Sequence, residues 1–189
     1  MRELVYYVAV SLDGFIASPD GQFSDFLNEG DHMQVVLQDY VDAVPTHFRQ
    51  ILKVETPCTL FDTVIMGRNT LQPALDAGIT SPYRHLHQFV VSTQELDIDP
   101  SITVLHDIDQ VLELKKSEGL NIWLCGGGRL AGSLLPYIDR LILKRNPVVL
   151  GAGISLFGNR EYSPAVFQLL NTRVFSSGVI FEEYHRSSE

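Results

Sequence analysis

The stretch NIWLCGGGRLAGSLL, residues 121–135, decides the fold. Five residues of strand composition run into three successive glycines, and an amphipathic segment follows that stops at Pro136. Strand, glycine loop and helix in that order form the repeating unit of a parallel α/β sheet. Glycines at such a junction let a ligand come close to the backbone, and the new helix offers unpaired N–H groups at the positive end of its dipole. A tight turn needing positive φ would also use glycine, though three in a row exceed what a turn requires. The spacing Gly126, Gly127, Gly128, Gly132 is G-x-G-x-x-x-G. With no acid about 20 residues later, it departs from the dinucleotide fingerprint of a standard Rossmann domain.

Working outward, the same arrangement recurs at IMGRNT, 65–70, where an apolar run ends at Gly67 and is followed by Arg68, Asn69 and Thr70. Arginine presents a planar fork suited to phosphate, and Asn-Thr reads as a helix cap. A third apolar run, QFVVS at 88–92, ends in Ser92 and Thr93. In open parallel sheets ligands sit beyond the carboxyl ends of the strands, so three polar strand ends predict one groove for a phosphorylated ligand.

Further strands are expected at 4–10, 62–66, 102–105 and 140–150, and helices at 33–53, 69–76, 107–117 and 128–135. Pro45 should break or kink the first helix, and Asp107 should cap the third. FQLLNTRVF and VIFEEY flank Ser176-Ser177-Gly178 and predict a closing antiparallel hairpin. The expected architecture is α/β, a three-layer sandwich on a mixed, mainly parallel sheet. With 189 residues and no repeat or linker, the chain reads as one domain, 1–189.

Composition narrows the functions. A net charge of −9, from 23 acidic and 14 basic side chains, argues against nucleic acid as a partner. A local arginine with oriented amides can still hold a small phosphorylated ligand. Cys58 and Cys125 lack the spacing of a disulfide framework, a zinc site or a nucleophile and suit a reducing cytoplasm. The apolar N-terminus carries Glu3 and Asp13 and reads as a strand, not a signal peptide; no run is long enough to cross a membrane. His85-Leu86-His87 would place two imidazoles on one strand face with no third ligand nearby, so no metal is expected. Trp123 reads as core.

MGRNT, VVST and WLCGGGRLAGSLLP, following AVSLDGFIA, resemble the dihydrofolate reductase superfamily. SLDG at 11–14 and NPVVLGAGISLFG at 146–158 make the chain resemble in particular the reductase domain of the bifunctional riboflavin-biosynthesis deaminase-reductase. No H-x-E with a P-C-x-x-C partner occurs, so a stand-alone reductase-like domain is expected. The resemblance implies NADPH as cofactor. Arg68 and Thr70, within Gly67-Arg68-Asn69-Thr70, would join Ser92 and Thr93 on the adenosine 2′-phosphate and ribose. Gly126, Gly127, Gly128, Arg129 and Leu130 would take the pyrophosphate, and backbone groups of Ala9 and Ile16 the nicotinamide carboxamide. Asp13 and Asp25 are the candidates for the catalytic acid. By their own chemistry they also read as a turn residue before Gly14 and as an acid at a helix start. Gly151 and Gly153 would border the substrate, although a strand leaving a sheet needs no ligand to explain such glycines.

The implied activity is NADPH-dependent reduction of a small heterocyclic substrate, like 5-amino-6-(5-phosphoribosylamino)uracil reduction, by a cytoplasmic homodimer. Two alternatives stand beside it. One is an NADP(H)-binding module without turnover. The other is a true dihydrofolate reductase, against which the loop ASPDGQFSDFLNEGD, 17–31, lacks the expected tryptophan.

Overall fold

The computed structural model describes residues 1–187. In chain order the strands are β1 (Leu4–Val10), β2 (Phe15–Ala17), β3 (Phe61–Gly67), β4 (His87–Val91), β5 (Ile102–Leu105), β6 (Asn121–Gly126), β7 (Arg140–Arg145), β8 (Ile154–Ser155), β9 (Phe167–Val174) and β10 (Ile180–Arg186). The helices are α1 (Met33–Gln38), α2 (Thr46–Ile51), α3 (Arg68–Asp76), α4 (Ile108–Lys116) and α5 (Gly128–Leu134), with 3₁₀ turns at Val41–Ala43 and Leu135–Tyr137. The fold is α/β, with mainly parallel pairing and an antiparallel C-terminal hairpin.

Two compact units interleave along the chain. The first comprises Met1–Glu3 and Gln34–Cys125; the second comprises Leu4–Met33 and the chain from Gly126 onward. In the first unit the strands lie in the order β5-β4-β3-β6. β3 pairs with β4 in parallel, and β4 with β5. Val64, Ile65, Met66, Val90, Ile122 and Leu124 are buried, as near-continuous apolar runs require in a sheet covered on both faces. Trp123 is core, stacked on Phe61 at 6.2 Å and edge-on to Tyr83 at 4.9 Å.

In the second unit the order is β1-β7-β10-β9. β1 runs parallel to β7, while β7, β10 and β9 are antiparallel neighbours. The hairpin turns where expected: the Phe175 N–H donates to the Val179 carbonyl, and the Gly178 N–H to the Phe175 carbonyl. A second, two-stranded sheet joins β2 and β8.

Several boundaries correct the sequence expectations. The segment 33–53 is not one helix; it breaks into α1, a 3₁₀ turn and α2, with Pro45 at the N-cap of α2. α3 starts at Arg68 behind Gly67, and neither Asn69 nor Thr70 caps it, since both already lie inside the helix. Asp107 does cap α4, its carboxylate accepting the Gln110 N–H at 2.9 Å. The strand expected to reach residue 150 ends at Arg145, because Asn146 turns inward and Pro147 offers no N–H to a ladder. His85 lies outside any strand and bonds Thr46 and the Asp42 carbonyl, so the two imidazoles do not share a strand face. Among the described residues no group of acids, histidines and cysteines could hold a metal, and no helix is long and apolar enough to cross a membrane.

Candidate functional site

In the first unit, register alone levels three strand ends. Gly67 pairs with Val91, and Val91 with Leu105, so the residues that follow, Arg68, Ser92 and His106, emerge at one end of the sheet. A hydrogen-bonded cluster forms there. The Arg68 guanidinium donates to the Gln94 side-chain oxygen at 3.0 Å. The Ser92 hydroxyl donates to the Gln94 carbonyl and accepts its N–H, and His106 Nδ1 lies 3.1 Å from the Ser92 carbonyl. Beside this cluster runs a cleft of about 200 Å³, lined by Arg68, Leu71, Leu75, Leu96, Asp97 and Ile98.

A cleft of mixed lining, with leucine and isoleucine side chains on its walls and a guanidinium at its edge, suits a ring that carries a phosphate. The partner of Arg68 is a neutral amide, which leaves its positive charge available to an anion. Asp97 and Glu95, which also border the cleft, oppose that attraction, so the fit depends on direct bonds from Arg68 and not on the surrounding field. Asn69 and Thr93 are exposed, and Thr70 is half-buried in the first turn of α3. His106 and Gln94 escaped the sequence reading. The rule applied to VVST, when applied to ITVLHD, would have found His106.

In the second unit, sequence-distant motifs are zipped together. Ser11 is fully buried at the end of β1; its hydroxyl donates to Asp13 Oδ1 at 2.6 Å and accepts the Phe15 N–H at 2.9 Å. Asp13 also accepts the N–H of Leu150 at 3.1 Å and of Gly151 at 2.7 Å. The Leu12 N–H donates to Val148, and the Leu156 N–H to Gly14. SLDG and NPVVLGAG are therefore two sides of one loop pair, extended by the β2–β8 ladder in which Phe15 faces Ser155 and Ala17 faces Ile154. The Ser11 hydroxyl and these N–H groups hold the Asp13 carboxyl below the usual carboxylate range.

The glycines serve this packing. A Cβ on Gly153 would stand 2.2 Å from the Ala17 carbonyl oxygen. One on Gly128 would stand 2.1 Å from the Ser155 carbonyl oxygen, and one on Gly132 2.2 Å from that of Phe157. Gly158 has φ +60° and lies against the start of α5, while Gly126 has φ +138°. Gly127, the N-cap of α5, is extended, a conformation open to any residue. Close backbone approach thus explains Gly128 and Gly132, and positive φ explains Gly126, without a ligand. Arg129 is exposed and Leu130 half-buried in the first turn of α5.

Of the remaining candidates, Ala9 is half-buried and in register with Lys144 of β7, and Ile16 is the middle residue of β2. The structure brings Asp13, Ile16, Gly128, Gly151 and Gly153 into one assembly. Asp25 is not part of it. It lies exposed in a turn, not at a helix start, beside the buried Phe26. Two residues farther on, Leu27 is gripped at both backbone groups, its N–H by Asn146 and its carbonyl by Lys144 and His32.

Known proteins share this architecture. The chain is 32% identical to the uncharacterized protein YwjB of Bacillus subtilis, over 94% of this chain and 95% of that protein. Among solved structures, a Shewanella protein described as a candidate riboflavin biosynthesis protein superposes with a TM-score of 0.71 at 24% identity, covering 99% of this chain and all of that one. A Thermotoga maritima diaminohydroxyphosphoribosylaminopyrimidine deaminase/5-amino-6-(5-phosphoribosylamino)uracil reductase gives 0.66 at 16% identity, covering 98% of this chain and 57% of that one. The sequence profile of the RibD C-terminal domain matches residues 2–181, and the chain belongs to that family.

Proposed function

We propose that the protein is an NADPH-dependent reductase of a small heterocyclic substrate, resembling 5-amino-6-(5-phosphoribosylamino)uracil reductase. The observation that carries this reading is the levelled strand-end cluster of Arg68, Ser92 and Gln94 beside a cleft whose walls include Leu71, Leu75 and Leu96. Membership of a reductase-type family supports it. Arg68, with Gly67, Asn69, Thr70, Ser92 and Thr93, would bind the adenosine 2′-phosphate and ribose. Gly126 to Leu130 would contribute backbone N–H groups to the pyrophosphate, and Ala9 and Ile16 backbone groups to the carboxamide. Bound NADPH would supply the hydride for an electrophilic carbon of the substrate.

The chain's own residues then bind, orient and exclude water. Asp13 serves this role by fixing the loop of Gly151 and Gly153 next to the substrate. Its hydrogen-bonded, ionised carboxylate is a poor proton donor, so water completes the reduction. The test is to mix the purified protein with NADPH and pteridine, pyrimidine and flavin-precursor substrates and follow the loss of NADPH absorbance. Oxidation that depends on one substrate class supports the reductase.

Asp13 also favours a second reading, an NADP(H)-binding module without turnover, because no acid of the loop pair remains to donate a proton. Tight NADPH binding with no oxidation across the whole substrate panel would establish that reading in place of the first.

A further inference from the structure

One row across the sheet of the second unit reads Ala9 of β1, Lys144 of β7 and Phe181 of β10, all in register. Residues directly opposite on neighbouring strands turn their side chains to the same face, so a lysine stands there between an alanine and a phenylalanine. Phe181 is buried, edge-on to Phe175 at 6.0 Å, and Phe175 lies 6.4 Å from the ring of His32. The segment from Leu27 to His32 reaches this face. Lys144 Nζ donates to the Leu27 carbonyl, and His32 Nε2 lies 3.3 Å from the same oxygen.

Lys144 is half-buried, and among the described residues no carboxylate pairs with it. That is unusual in a chain of 23 acids and 14 bases, because a cation removed from water costs free energy unless an anion offsets it. An ammonium has three N–H donors, and the Leu27 carbonyl takes one, so two remain for a ligand. The other titratable groups around this face are committed. His32 is fully enclosed, with Nδ1 3.0 Å from the Ser177 hydroxyl, and burial followed by the Lys144 charge keeps it neutral. Asp31 accepts the N–H groups of Ser176 and Ser177 and the Ser176 hydroxyl. Burial lowers the Lys144 amine to about 8. It is therefore protonated at neutral pH yet gives up its proton more readily than an ordinary lysine, as a general acid must.

We propose that Lys144 is the group that hands the proton to the substrate, its ammonium bonded to the nitrogen or oxygen of the C=N or C=O group under reduction. The assignment rests on the reductase reading, in which Ala9, its neighbour in register, borders the nicotinamide. As hydride from NADPH reaches the electrophilic carbon, the π pair of that bond passes to the nitrogen or oxygen. The Nζ–H bond breaks toward it, and the neutral amine regains its proton from water. The water that completes the reduction thus acts by way of Lys144.

The first test needs no turnover. The chain has four lysines, Lys53, Lys115, Lys116 and Lys144, so a nuclear magnetic resonance titration of isotope-labelled lysine resolves each. The resonance that Lys144→Arg lacks is expected to titrate at about 8 in the wild type. The second test is kinetic. Arginine keeps a charge and a donor for the Leu27 carbonyl but holds its proton at any workable pH. Lys144→Arg and Lys144→Met are both expected to lose about a hundredfold in kcat, the usual size of general-acid catalysis, with NADPH affinity unchanged. Wild-type kcat should fall as pH rises through about 8, and Lys144→Arg should lack that limb. If Lys144 only clamps Leu27, Lys144→Arg restores turnover. That result, or a Lys144 that titrates with the other lysines near 10.4, would overturn the assignment and leave the reductase reading standing. A wild type that binds NADPH and reduces nothing would end both.

Discussion

The junction of β3 with α3 and the junction of β6 with α5 look alike as sequence, each a strand that runs into glycine, arginine and a helix. As structure they differ in what occupies their polar and small residues. At the first, Arg68 is exposed, its partner is a neutral side chain, and a cleft of mixed lining lies beside it. At the second, Gly128 and Gly132 are filled by the backbone of residues 155–158, which leaves no room for even a methyl group. A glycine-rich helix start can therefore be demanded by the chain itself, whereas an exposed guanidinium bonded to a neutral amide at a strand end has no comparable structural reason to be there. Substitutions in the two regions should separate accordingly, into losses of stability around α5 and losses of ligand around α3.

The largest effect is expected from Gly132→Ala. Its Cβ would meet the Phe157 carbonyl oxygen, and backbone cannot rotate away as a side chain end can. A loss of about 3 kcal/mol in urea unfolding is expected, the upper part of the usual range for overpacking. A loss under about 1 kcal/mol would mean that the 155–158 loop moves freely and that packing does not explain the glycine.

Asp13→Asn should act next most strongly, by loosening the pairing of residues 11–14 with 148–151. The folded carboxyl titrates below its ordinary value, chiefly because the Ser11 hydroxyl donates to it, aided by the N–H groups of Gly151 and Leu150. Its stabilisation is thus present above the unfolded value near pH 3.9 and is lost as pH falls through the folded value. Thermal melts should show the variant less stable at neutral pH, with the difference from wild type closing in acid. A constant difference across that range would show that the charge is not what binds the loop.

Lys144→Met sharpens the second-unit side of the comparison. Burial lowers the Lys144 amine to about 8, against about 10.4 in the unfolded chain. Between those values the unfolded chain binds more protons, so wild type should gain stability on the variant as pH rises from about 8 to 10. Parallel pH profiles would remove the buried charge from the account.

The smallest effect is expected at Ser92→Ala. The hydroxyl closes a local turn on Gln94 at an exposed strand end, so stability should change by less than about 0.5 kcal/mol, while the shape of the Arg68 cluster loosens. A modest weakening of NADPH binding with an unchanged melting temperature is the expected pair of results. Loss of stability without loss of binding would make Ser92 a structural cap only.

Much of this was readable from residues, for reasons that can be stated. Buried parallel strands need continuous apolar runs, so β1, β3, β4, β5 and β6 stood out, and Asp107 marked α4 because a side-chain cap has a local chemical cause. The hairpin was legible because a three-residue turn flanked by two strand-like runs leaves few alternatives. What failed depended on distance along the chain. β2 and β8, three and two residues long, exist only because SLDG meets the 148–156 loop. Asn69 and Thr70 looked like a cap, yet the helix begins one residue earlier, since a chain leaving β3 enters helical geometry directly after Gly67. In the candidate site, strand-end arithmetic placed Arg68 and Ser92 at one level, but the meaning of Gly128 and Gly132 required the loop that fills them.

The most direct measurement is a calorimetric titration of NADPH and of NADH into the wild-type protein and into Arg68→Ala. A charge-assisted hydrogen bond contributes about 1.5 to 3 kcal/mol, reduced here by exposure. The variant should therefore lose roughly tenfold in NADPH affinity and almost nothing for NADH, with an unchanged melting temperature. Equal losses for the two dinucleotides, or no binding of either by the wild type, would contradict the account.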